Sequence, residues 1–199
     1  MIVEAFVLSV VIGFTRKGSL RNLGRMPLRH FYLFCVPFLL FAAVSGIALS
    51  AGQKSLMPYI RIADIAQYAV LLAAIFLNLH IREMWMMAAG TFSNFAALAA
   101  NGGAMPVSMD ALKSAGLAGV LGAQPVRHAV LTPETRLKPL ADVIPVHTFS
   151  PFLSQVVSVG DLLIAVGLFI LIQHYMCPPK VDEEQSTVAE ASAEDSTGG

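Results

Sequence analysis

Apolar positions along the chain gather into five runs, Met1–Phe14, Phe31–Ala51, Ile62–Ile81, Met84–Ala100 and Val156–Tyr175. Three of them approach the ~20 residues that an α-helix needs to cross a hydrocarbon layer of ~30 Å. The pattern predicts an all-α integral membrane protein. Its core is a five-helix transmembrane bundle with spans at about residues 1–15, 31–51, 62–81, 84–100 and 156–175. A long, partly helical extracytoplasmic loop at 101–155 separates the last two spans. The first run is short, so tilt or local thinning of the bilayer is expected there. It does not read as a cleaved leader: Glu4 is its only charge, no small-x-small site follows, and the basic cluster comes after it.

The polar positions inside these runs fall on helical stripes. In the third run, Asp64, Gln67, Leu71, Ala74 and Asn78 recur at spacings of three and four. Thr91, Asn94, Leu98 and Asn101 do so in the fourth, and Ser154, Ser158 and Asp161 share a face in the fifth. Ionisable groups within a span cost roughly 2.5–3.5 kcal/mol at the helix centre, so they are expected to face protein or a water-filled cavity. Glu4, Asp64, Gln67, Asn94, Asn101 and Asp161 all fall toward the same ends of their helices. They are the candidate lining of an outward-facing polar pocket. Among bases, Arg61 is the near neighbour expected for Asp64. The competing reading is structural: caps, headgroup contacts and interhelical amide bonds.

Charge sets the orientation. Residues 15–30 hold Arg16, Lys17, Arg21, Arg25 and Arg29 and no acid. A short basic loop beside the first span belongs on the cytoplasmic side. The N-terminus is then outside, 101–155 is outside, and the C-terminus is cytoplasmic. Lys113, Arg127, Arg136 and Lys138 weaken the asymmetry little, because long loops translocate largely regardless of charge. Residues 180–199 hold six acids and one base, a net −5, against +5 for the rest of the chain. That stretch has no aromatic residue and is expected to be a disordered, acidic cytoplasmic tail. The composition agrees with a membrane solvent: 56% hydrophobic, 13% charged and a mean hydropathy of +0.68, where soluble domains carry about 25% charged residues.

Six prolines between Pro106 and Pro151 break up the long loop. Ser108–Val120 reads as a short helix capped by Ser108 and lying flat on the membrane, and Thr132-Pro133 as a second capped helix start. Residues 140–152 are apolar and expected to pack over the mouth of the bundle or to dip into it. His128, His147 and Asp142 offer metal-ligating atoms, but their spacing specifies no site. No phosphate loop, nucleophile elbow or HExxH motif occurs. The sequence therefore predicts no catalytic residues, no metal and no cofactor. Cys35 and Cys177 exclude a disulfide framework and read as packing residues.

Three stretches carry a family likeness: Gly18-Ser19-Leu20-Arg21-Asn22-Leu23, Asn101-Gly102-Gly103-Ala104-Met105-Pro106-Val107, and Ser158-Val159-Gly160-Asp161 opening the last run. With them, most of Met1–Tyr175 resembles DUF5317, a family of small bacterial multi-pass membrane proteins of unknown function. The resemblance implies a bacterial cytoplasmic-membrane protein and no particular activity. The function expected is that of a non-enzymatic subunit or scaffold working through its outer loop. Its partners would be the lipid bilayer and a membrane protein or a second copy of the chain, not nucleic acid. The alternative is a small transporter or ion-binding protein using Glu4, Asp64, Asn94 and Asp161. A third is a membrane enzyme for lipid-linked substrates, with Asp142, His147 and Asp161 as acid–base groups.

Overall fold

The computed structural model describes residues 1–51, 56–117, 127–147 and 154–177. The expected acidic tail lies outside the described residues. Among the described residues, seven α-helices make up most of the structure: α1 Ile2–Thr15, α2 Leu20–Leu23, α3 Tyr32–Ala51, α4 Met57–Phe76, α5 Met84–Ala100, α6 Met109–Ser114 and α7 Val159–Met176. The five long ones fall on the five apolar runs. Two of them, α4 and α7, are long and apolar enough to cross a membrane.

Local sequence explains where these helices begin and end. Pro58 occupies the first turn of α4, where a missing N–H costs nothing, so the helix starts before the expected Ile62. It stops at Phe76, short of the expected Ile81. There the Asn78 side chain turns back to accept from Arg29 N (2.7 Å) and to donate to Arg29 O (2.9 Å) and Ala74 O (2.8 Å). Three helices close with the same paired back-bonds around a left-handed residue. In α5 and α6 that residue is Gly102 (φ 67°) or Gly116 (φ 74°). In α1 it is Lys17 (φ 61°), with Gly18 N bonded to Gly13 O at 2.8 Å. The α7 start is a capping box: Ser158 Oγ accepts from Asp161 N while the Asp161 carboxylate accepts from Ser158 N, both at 3.0 Å.

The long helices pack as a row, α3 on α4, α4 on α5, α5 on α7 and α7 on α1. Contacts fix their directions. Glu4 meets Gln155 and Gly13 meets Met176, so α1 runs parallel to α7. Asn94 meets Asp161 and Glu83 meets His174, so α5 runs antiparallel to α7. Helices α1, α4 and α7 therefore start at one end of the row, where α3 and α5 finish. The described parts of the loop, 101–117, 127–147 and 154–158, sit at that end, called here the loop end; the basic segment 15–30 lies at the other. Two apolar clusters mark the ends: Ile75, Ile81, Met84, Ala88 and Leu171 near the basic segment, and Ala97, Leu98 and Met105 with Ile65, Tyr68 and Leu140 near the loop.

The crossing of α5 and α7 is set by glycine. A Cβ on Gly160 would lie 2.7 Å from Gly90 O, and one on Gly90 would lie 2.4 Å from Gly160 O. The two backbones thus touch, as small residues permit between apolar helices. The outward faces are apolar: Val159, Leu162, Val166 and Ile170 form an exposed stripe on α7, and Phe38, Leu39 and Phe41 are exposed on α3. Ala42 and Gly46, small residues four apart on α3, are exposed as well, and a Cβ added at Gly46 would meet no atom within 4 Å.

The all-α expectation fails in the loop. Strand β1 Met105–Val107 pairs in parallel with β2 His128–Val130, and β3 Ile144–Val146 pairs antiparallel with β4 Gln155–Val157. Prolines that exclude long helices still permit such short strands, because Pro106 and Pro145 need donate no ladder bond from their own position. The loop helix is shorter than Ser108–Val120: Gly116 ends α6, whose apolar face packs on β3 and β4. Thr132-Pro133 opens a turn and no helix. Thr132 N donates to Thr135 Oγ1 at 2.8 Å, and only a short 3₁₀ turn follows, at Lys138–Leu140. From 140–152, the described part packs Leu140 against the cluster of Ala97, Leu98 and Met105; residues 148–152 lie outside the described residues.

Candidate functional site

The polar residues at the loop end form separate groups. The most buried joins α5 to α7. Asn94 Nδ2 donates to Asp161 Oδ1 (2.8 Å), while Ser158 Oγ lies 2.8 Å from Asn94 Oδ1 and 2.9 Å from Asp161 Oδ2. Asn94 and Ser158 are almost fully buried. The capping box that starts α7 is therefore also an interhelical bond. The Gly160 Cα passes so close that a Cβ there would lie 2.1 Å from Asn94 Oδ1.

The second group belongs to α4. Asp64 is buried and forms an ion pair with Arg127, which comes from the loop. Gln67 Nε2 donates to Asp64 Oδ1 at 3.3 Å, and Arg127 Nη2 to Ser45 Oγ at 3.3 Å. The guanidinium also sits 4.4 Å from the Phe41 ring centroid, a cation–π distance. Arg127 thus reaches from the loop into the α3–α4 interface. Arg61, the base expected to meet Asp64, instead has a buried Nε without a hydrogen bond, and its backbone lies against Gly103.

Asp142 lies in the field of the first of these groups. Its backbone joins the loop through Asp142 N to Pro106 O and Ser108 N to Asp142 O, both 2.9 Å. Its side chain is 6% exposed, and Oδ1 has no hydrogen-bond partner. Burial first, and then the charge of Asp161, push its carboxyl up to about 8. The His128 imidazole is held below its ordinary value by burial and by Arg127, and it feels the Asp161 charge. The Tyr68 hydroxyl is in reach of Asn94 and of the fields of Asp161, Asp142 and Asp64.

The other expected residues stand apart. Glu4 pairs with the Met1 ammonium and accepts from Gln155 Nε2 at 3.0 Å. Asn101 spends its amide on backbone: it donates to Ala97 O (2.7 Å) and Arg136 O (2.9 Å) and accepts from Arg136 N (3.0 Å). This repeats the Asn78–Arg29 clasp at the opposite end. His147 is exposed and donates to Ser114 O at 2.8 Å, so the trio of Asp142, His147 and Asp161 does not form one acid–base centre. No three His, Cys, Asp or Glu converge as metal ligands among the described residues. Ser158 contacts an amide and a carboxylate but no histidine base, so the nucleophile–base arrangement of acyl transfer is not built here.

Arg127 and Tyr68 are the residues that sequence reasoning passed over; His128 enters it only as a metal ligand. Tyr68 is off the Asp64–Asn78 stripe. Arg127 looked like one loop base among four, and its pairing with Asp64 spans 63 positions.

The matched part of the chain is broad. A family model described as "Family of unknown function (DUF5317)" matches residues 25–173, and the chain belongs to that family. It is similar to an uncharacterized protein of Thermotoga maritima, 26% identical over 193 residues that cover 96% of this chain and 100% of the relative. No solved structure matches.

Proposed function

Starting from a family without an assigned activity, we propose that this chain is a multi-pass protein of the bacterial cytoplasmic membrane, acting as a non-enzymatic subunit or scaffold through its loop end. One observation carries the reading: three groups of polar side chains at the loop end are spent on fixing the loop and the helices to one another. Arg127–Asp64 ties β2 to α4, Asn101–Arg136 ties the loop to α5, and Asn94–Ser158–Asp161 locks α7 beneath it. Such an arrangement presents a rigid surface. The exposed apolar faces of α1, α3, α4, α5 and α7 support five spans in lipid, since soluble surfaces rarely expose such contiguous area. Native mass spectrometry of the chain released from its own membrane in mild detergent is expected to show a defined complex, with another membrane protein or a second copy. A lone monomer overturns the reading.

Asp142 favours a second reading, a small cation- or proton-binding protein. A buried carboxylate oxygen without a partner, next to a second carboxylate, is where a small cation gains most. Of the expected lining, Asp161 and Asn94 belong to this neighbourhood and Glu4 does not. Replacing Asp142 and Asp161 by Asn is expected to abolish cation-dependent flux in proteoliposomes; unchanged flux sinks this alternative.

A further inference from the structure

We infer that the basic segment 16–29 is the docking surface for the chain's own acidic residues 182–195. The surface lies beside the point from which that stretch departs. Ser19 N donates to Met176 O at 3.0 Å and Asn22 Nδ2 to the same oxygen at 3.4 Å. A Cβ on Gly18 would lie 2.5 Å from Cys177 Sγ, so the turn after α1 rests directly on the end of α7. The short helix α2 then carries the chain across this end. Ser19 caps it by accepting from Arg21 N at 3.2 Å, which fixes where the arginines stand.

Five bases occupy the segment, and four of them are free for a partner. Arg16 Nη1 donates to Gln173 Oε1 at 2.9 Å. Lys17, Arg21, Arg25 and Arg29 are exposed, and none forms an ion pair among the described residues. Arg82 adds a further exposed base at the same end, where the one acid among the described residues, Glu83, is engaged by His174 at 2.6 Å. On the other side of the ledger stand Asp182, Glu183, Glu184, Glu190, Glu194 and Asp195, with Lys180 the single base. The surplus cations of the segment equal the surplus anions of 180–199 in number, five against five.

Geometry allows the match. A chain spans at most ~3.3–3.6 Å per residue. Asp182 is five positions beyond Cys177, so the first three acids stay within about 25 Å of it, and the later ones have reach to spare across the segment. Tethering supplies an effective concentration in the millimolar range, which makes even weak ion pairing count. Exposed charges are screened over about 8 Å at physiological salt, so the docking is electrostatic and salt-sensitive. Anionic lipid headgroups are the natural competitors for the same cations.

Paired labels at Leu20→Cys and Ser192→Cys, in the full-length chain with Cys35 and Cys177 replaced by Ser, test the assignment by double electron–electron resonance in zwitterionic detergent. A short-distance population is expected. It should fall by at least half in 1 M salt, and likewise when the six acids are exchanged for Asn or Gln. That exchange leaves every residue of the helices intact. The same distance distribution with and without the acids overturns the proposal. So does loss of the short-distance population in nanodiscs containing anionic lipid at physiological salt, which would give the surface to headgroups.

Discussion

Two residues at the loop end decide more than their size suggests. Gly160 lets α5 and α7 touch backbone to backbone while Asn94 reaches Ser158 and Asp161. A methyl group there meets Gly90 O at 2.7 Å, and that atom is backbone and cannot swing away. Gly160→Ala is expected to cost about 1–3 kcal/mol through overpacking, read as an earlier thermal unfolding in detergent. Gly46→Ala, with open space around it, serves as the neutral control. Asp142 makes stability depend on pH. Its carboxyl is pushed up to about 8 in the folded chain, against about 3.9 when unfolded. The folded state therefore keeps a proton that the unfolded state releases. Stability from this group is full below about pH 4 and is lost as pH rises toward 8. Unfolding midpoints measured across that window should drop in the natural chain, and the slope should flatten in Asp142→Asn. An equal slope in both would place the pH dependence elsewhere.

At the scale of elements, the loop is held by clasps that local pattern reading does not register. The helices were legible because apolar runs and helical stripes are repeated signals. Ser108 as a cap was legible because a hydroxyl stands directly before a weakly apolar helical face. The strands were not, since three-residue strands carry almost no periodicity. The ends of α4 were displaced because Pro58 and the Asn78 clasp outweigh the hydropathy boundary. Arg127 illustrates the rest: nothing near it in sequence announces that it pairs with Asp64 and stacks on Phe41. Removing it strands a buried carboxylate. Arg127→Ala should destabilise the chain by on the order of 3 kcal/mol and expose the loop to proteolysis. Adding Asp64→Leu should restore part of the loss, because the orphaned charge is then gone. A double variant no better than the single one would mean that the pair is not what anchors β2.

The whole molecule is asymmetric along its helix axes, and that asymmetry predicts its placement. One end gathers the buried acids and the amides bonded to them, and the strand pairs. The other gathers exposed Lys17, Arg21, Arg25 and Arg29. The antiparallel succession α1, α3, α4, α5, α7 sends the chain from end to end five times, so a single sidedness measurement orients every helix. At 1.5 Å per residue, α4 reaches about 30 Å and α7 about 27 Å, close to the thickness of a hydrocarbon core, whereas α1 reaches only about 21 Å. The shorter α1 carries Glu4 in its first turn and is followed by Arg16 and Lys17, charges that would hold its two ends at opposite interfaces of a bilayer. Short basic connections stay on the cytoplasmic side. A cysteine at Leu20 in intact cells should therefore resist a membrane-impermeant maleimide, and one at Lys113 should react; both positions are exposed in the structure. The reverse pattern would turn the molecule over. Equal reaction at both would remove it from the bilayer altogether, since only a membrane crossed by the row keeps the two ends apart.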